Sequence, residues 1–107
     1  MAEQLPKAVN AFRDRHPDLW KAFNELGERC HKAGPLDEKS RRLVKLALSI
    51  GAGLEGATHS AARNALKSDI SAEEMEHVAV LAITTLGLPA ATRAITWIED
   101  IVRSKRA

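Results

Sequence analysis

Three side chains that could take part in acid–base or ionic chemistry follow Gly51 and Gly53, near the middle of the chain. Glu55, His59 and Arg63 are spaced four residues apart, so in a helix they lie along one face. A carboxylate can orient an imidazole, and an oriented imidazole can donate or accept a proton in catalysis. The same spacing also describes a solvated row of charge pairs, each contributing about 0.3–0.5 kcal/mol. The pattern alone leaves the catalytic and the structural interpretation open.

Two histidine–carboxylate pairs at helical spacing raise the question of a metal. His77 follows Glu73 and Glu74, and His59 follows Glu55. Two ligands on one helical turn are half of a zinc site, and no further histidine or cysteine follows at a supporting interval. We therefore expect no metal and no cofactor.

The chain has a single cysteine, Cys30, so an intrachain disulfide is impossible. This composition favours a reducing, cytoplasmic location. His31 is adjacent in sequence, but neighbours on a helix point about 100° apart. We expect Cys30 to be buried and inert, with a reactive or intersubunit thiol as the alternative.

The composition predicts an all-α fold. The chain has 107 residues, of which 45% are apolar and 4% aromatic, and this length suits one domain over residues 1–107. Alanine and leucine dominate the apolar set, which favours helices over strands. Glycines and prolines divide the chain into about six helices, forming a bundle.

Local signals place these helices. Pro17 can begin the second helix, whose stripe contains Leu19, Phe23, Leu26 and Cys30. Asp37 is a good N-cap for the third helix, and Ser71 with Glu74 forms a capping box for the fifth. The fourth helix has a face of small residues, so we expect it to be central. The expected inward residues of the third and fifth helices are Leu43, Leu46, Ala47 and Ile50, and then Met75, Val78, Ala79, Ala82 and Leu86.

Charge and hydropathy exclude several classes of function. The net charge is only +2, and the basic tail at Arg103, Lys105 and Arg106 is typical of a solvated helix end. We expect no nucleic-acid partner, since a binding surface needs a denser basic stripe. No apolar run reaches the length of a signal core or a membrane span, so we expect a soluble protein without membrane association.

The last helix carries more apolar residues than one core face needs. Ile95, Trp97, Ile98, Ile101 and Val102 cover several sides of it. Such a surplus is typical of a subunit interface, so we expect a homo-oligomer.

The order of these parts resembles the carboxymuconolactone decarboxylase and alkylhydroperoxidase D-like family. The resemblance covers about residues 36–94 and combines a capped helix, a glycine break, an alanine-rich helix, a capping-box helix and the Gly-x-Pro-Ala-Ala run that begins at Gly87. It implies an all-helical protomer that assembles into trimers or hexamers.

The resemblance also implies positions for catalytic groups. Peroxidases of the family have a glutamate where this chain has Arg42, two cysteines where it has Leu54 and Ala57, and a histidine where it has Ala61. Dithiol peroxidase chemistry needs a thiolate and a resolving thiol, and one cysteine cannot supply both.

The family also includes cysteine-free lactone decarboxylases, and these supply an alternative. Such an enzyme needs a cation for an acidic ligand and a proton donor for the product. Arg42 and His59, with Glu55 orienting the imidazole, are the candidate catalytic residues, and Arg41 or Arg63 are alternatives for the cation. We therefore predict an oligomeric scaffold without dithiol peroxidase activity, or a small cofactor-free lyase.

Overall fold

The chain folds entirely into helices and short connections over the residues that the structure describes. The computed structural model describes residues 5–106, except for the side chain of Arg106. No strand occurs within that range, so the predicted all-α class is confirmed. The helices are α1 (Lys7–Arg15), α2 (Pro17–His31), α3 (Glu38–Gly51), α4 (Glu55–Lys67), α5 (Ala72–Leu81), α6 (Ile83–Leu86) and α7 (Leu88–Arg106).

The chain forms two compact units, divided between Pro35 and Leu36. The single domain over residues 1–107 stays a prediction. In the first unit α1 packs against α2, and Pro17 begins α2 as expected. No residue of either helix is buried.

The apolar stripe of α2 is therefore exposed. Leu19, Phe23 and Leu26 each keep more than half of their surface accessible. Cys30 is also exposed, so the prediction of a buried thiol is wrong. The reason is that two short helices packed side by side cannot enclose a core of their own.

The second unit contains the buried core, to which α3, α4, α5 and α7 contribute. Small residues line the contacts that α4 makes with α3 and α7, and they allow these helices to approach closely. The core residues are Leu46, Ile50, Ala62, Ala65, Ile70, Met75, Ala79, Ala94, Ile98 and Ile101.

The predicted caps are confirmed. The Asp37 side chain accepts a hydrogen bond of 2.8 Å from the Ser40 amide. Ser71 and Glu74 form a complete capping box, with bonds of 3.1 and 3.0 Å. Each bond satisfies an amide that the first helical turn leaves without a partner.

The fifth predicted helix is shorter than expected. It ends at Leu81, because the Ala82 amide bonds to the Ala79 carbonyl at 3.1 Å in a tightened turn. The short helix α6 begins after this turn, at Ile83. Leu86 is 42% exposed and Ala47 on α3 is also exposed, so the predicted inward orientation of these two residues is wrong.

The exposed apolar residues of the second unit lie mostly outside α7. Ile98 and Ile101 are buried in the core, while Ile95, Trp97 and Val102 are half-buried. Large exposed apolar side chains lie instead on α3, α5 and α6, and they include Val44, Leu48, Val80, Leu81, Ile83 and Leu86. Among the described helices, none combines the length and apolar character that a membrane crossing requires.

Candidate functional site

A buried polar contact fixes the beginning of α4, where the candidate histidine lies. Thr58 is fully buried, and its Oγ1 lies 2.8 Å from the Leu54 carbonyl and 3.2 Å from Oγ of Ser49. The Ser49 hydroxyl in turn donates to the Leu46 carbonyl at 2.7 Å. Since buried hydroxyls need such partners, these bonds hold the first turns of α4 against α3 and fix the position of His59, the next residue.

His59 meets a carboxylate from another helix. Its Nε2 lies 3.1 Å from Oδ2 of Asp100 on α7. The side chain of His59 is 22% exposed and that of Asp100 is 47% exposed. Glu55 joins them, since one donor atom from each of the three residues lies within 4.8 Å of the other two. The structure thus brings Glu55 and His59 together, as the helical spacing predicted, and adds Asp100.

Arg42 lies elsewhere. Its Nε donates to Oε1 of Glu38 at 2.8 Å, and the same carboxylate oxygen accepts a bond of 3.2 Å from Ser68 at the C-terminal cap of α4. At 1.5 Å per residue, Ser68 is roughly 13 Å along the helix from His59. The predicted pairing of Arg42 with His59 in one pocket is therefore not seen within the single chain.

Among the described residues, Glu38 has the most strongly shifted pKa. Hydrogen bonds from Arg41 and Arg42 lower the pKa of Glu38 from its ordinary value of 4.5 to about 2. Because the native pKa is depressed, the charged carboxylate stabilises the fold above about pH 4.5, and this contribution is lost as the pH falls towards 2.

We expect Glu38→Gln to lower the urea midpoint at neutral pH, because Arg41 and Arg42 lose their shared anion. The difference from the wild type should shrink between pH 4.5 and 2, where Glu38 itself becomes protonated. Urea titrations of both proteins across this range measure the effect. Glu76→Gln, at an exposed position on α5, is the control and should change stability by at most about 0.5 kcal/mol. A difference that grows towards low pH would contradict the assignment.

The positions to which the family resemblance assigns a dithiol and a histidine hold apolar side chains. Leu54 is the residue that precedes α4 and is 53% exposed, Ala57 is exposed and Ala61 is half-buried. None of these side chains has a group that can take up electrons or protons.

Asp100 is the site residue that sequence reasoning missed. It is 41 positions from His59, and no spacing rule connects residues on different helices. The residues next to Asp100 on α7 do not mark it as part of a site either, since Glu99 pairs with Arg103 at 2.6 Å in an ordinary surface ion pair.

A separate apolar groove of about 570 Å³ lies between α3, α5 and α6. Its aliphatic walls include Val44, Leu81 and Leu86, and Glu74 and His77 also line it. His59, Glu55 and Arg42 do not. The groove therefore offers apolar contact area and one imidazole, that of His77, which the sequence pairs with Glu73 and Glu74.

Residues 17–100 match the model of the carboxymuconolactone decarboxylase family. The chain is also 24% identical, over 89% of its length and 92% of the relative's, to an uncharacterised protein of Methanocaldococcus jannaschii. No solved structure matches it significantly. Because the family model spans most of the chain, including α3, α4 and the capping-box helix, the protein belongs to the carboxymuconolactone decarboxylase family.

Proposed function

We propose that this protein is an oligomeric member of its family, a helical scaffold that has no dithiol peroxidase activity. The observation that carries the proposal is the chemistry at the start of α4, where Leu54 and Ala57 replace the dithiol. With one cysteine in the chain, no subunit can form the internal disulfide that dithiol turnover requires. The exposed thiol of Cys30 suits a reducing, cytoplasmic location.

The exposed apolar residues support assembly. The groove and the neighbouring side chains of α3, α5 and α6 form a wide aliphatic surface, with Leu48 66% and Leu81 62% exposed. Surfaces of this kind usually mark association sites, since leaving them in water costs roughly 25 cal/mol per Å². Trimers or hexamers, as in the family, are the expected assemblies.

Light scattering coupled to size exclusion tests the assembly. The wild type at micromolar concentration should have the mass of several chains, and Leu81→Lys should shift the mass towards that of one chain because it places a charge in the apolar surface. Thr96→Lys, at an exposed position on α7, is the matched control and should keep the wild-type mass. A monomeric wild type would overturn the proposal.

A hydroperoxide assay with a dithiol reductant tests the chemistry. We expect the wild type and Cys30→Ser to consume peroxide at the same rate, close to that without protein, because a single exposed thiol has no resolving partner in its chain. Turnover by the wild type that Cys30→Ser abolishes would overturn this part of the proposal.

The His59–Asp100 contact favours a second candidate, a cofactor-free lyase. In this alternative Asp100 orients the imidazole at 3.1 Å, His59 transfers the proton, and an arginine holds an acidic substrate. Arg42 could reach the imidazole only from another subunit, or after its ion pair with Glu38 breaks.

A screen of lactone acids and β-keto acids for decarboxylation tests this candidate. Turnover should disappear in His59→Ala and persist in Ser60→Ala, a neighbouring exposed position. Activity that survives in His59→Ala would exclude the assigned role of the imidazole.

A further inference from the structure

Three side chains of the kinds that can ligate a metal ion converge from two helices of the second unit. Glu55 and His59 are one turn apart on α4, and Asp100 reaches them from α7. Their donor atoms lie within 4.8 Å of one another, and His59 Nε2 is 3.1 Å from Asp100 Oδ2. Within residues 5–106 this is the one cluster of three such donors.

The spacing of the donors suits a small divalent cation. Nitrogen and oxygen ligands lie about 2.0–2.2 Å from Zn²⁺, so two ligands on one tetrahedral ion are roughly 3.4 Å apart. His59 Nε2 and Asp100 Oδ2 lie 3.1 Å apart in hydrogen-bond contact, so they need to separate by only roughly 0.3 Å to share one ion. Glu55 is exposed, so its carboxylate can approach by the remaining ångström or so through rotamer changes.

We propose that Glu55, His59 and Asp100 bind one divalent transition-metal ion, with Zn²⁺ as the representative. An imidazole with two carboxylates suits zinc, cobalt and manganese, whereas calcium prefers a cage of oxygen atoms alone. Three protein ligands leave a coordination position open to water. The two carboxylates supply the negative charge that a divalent cation requires, and the bound ion links α4 to α7.

The histidine and glutamates of α5 provide an internal comparison for this site. His77 has Glu73 and Glu74 at helical spacing, as His59 has Glu55, but among the described residues these three form no converging cluster, and no donor from another helix joins them. The difference between the two histidines is therefore the carboxylate of Asp100. This predicts selective binding at α4.

The proposed metal site needs no second subunit and is therefore independent of the proposed assembly. It also assigns His59 a role that differs from the proton-transfer candidate, since Nε2 cannot hold a metal ion and a proton at once. Metal binding with no lyase activity, and lyase activity with no metal binding, are thus distinguishable results.

Isothermal titration of the full chain with Zn²⁺ at neutral pH tests the site. We expect about one ion per chain with micromolar affinity, weakened at least about tenfold in His59→Ala and in Asp100→Asn. His77→Ala and Cys30→Ser are the controls and should keep the wild-type affinity. Circular dichroism should show unchanged helix content in all four variants, because each replaced side chain is exposed or half-buried.

Substitution with Co²⁺ identifies the ligands. A nitrogen and oxygen donor set should give visible d–d bands without the near-ultraviolet thiolate band that a Cys30 site would add. The proposal is overturned if the wild type takes up no zinc at submillimolar concentration, if Asp100→Asn binds as tightly as the wild type, or if Cys30→Ser abolishes binding.

Discussion

Leu46→Ala should destabilise the second unit by about 2–5 kcal/mol. Leu46 is a residue of α3 that is fully buried in the core of the second unit. Its loss removes buried apolar surface and leaves a cavity. The same core contains Ala62, Ala65 and Ala79, whose short side chains have little reach to fill a cavity. Urea unfolding followed by circular dichroism measures the loss.

Leu46→Met is the matched control, because it conserves most of the volume at the same position. We expect it to lose less than about 1.5 kcal/mol. If both variants lose the same free energy, the cavity is not the cause, and the packing assigned to Leu46 is incorrect.

Much of the fold could be predicted because it depends on local chemistry. The caps at Asp37 and Ser71 satisfy amides within three residues of themselves, and the side chains that do so are visible in the sequence. Pro17 is equally local. By contrast, the exposure of Cys30 and of the α2 stripe depends on which other helices cover it, and helical periodicity carries no such information.

The candidate site was only partly predictable for the same reason. Glu55 and His59 share one helix, so a four-residue spacing was enough to place them together. Asp100 comes from α7, and the angle at which two helices cross is set by packing. Arg42 was assigned from the resemblance to the family, but its neighbour Glu38, one turn earlier, provides a local ion pair that holds it away from His59.

Gly87, which precedes α7, has a backbone conformation that other residues rarely adopt. Gly87 has φ +100° and ψ 157°, a backbone region that is essentially restricted to glycine. A Cβ added there would lie 3.8 Å from Cδ of Pro89, which is an ordinary contact. Any destabilisation by a side chain at this position must therefore come from the backbone and not from a steric clash.

We accordingly expect Gly87→Ala to cost about 1–3 kcal/mol, the usual range for a strained backbone conformation, measured by urea unfolding. Gly56→Ala is the matched control, since Gly56 is helical, an added Cβ meets nothing within 4 Å, and alanine favours helix by up to about 1 kcal/mol. The two alanines should thus change stability in opposite directions. Equal effects of the two alanines would contradict the assignment of backbone strain to Gly87.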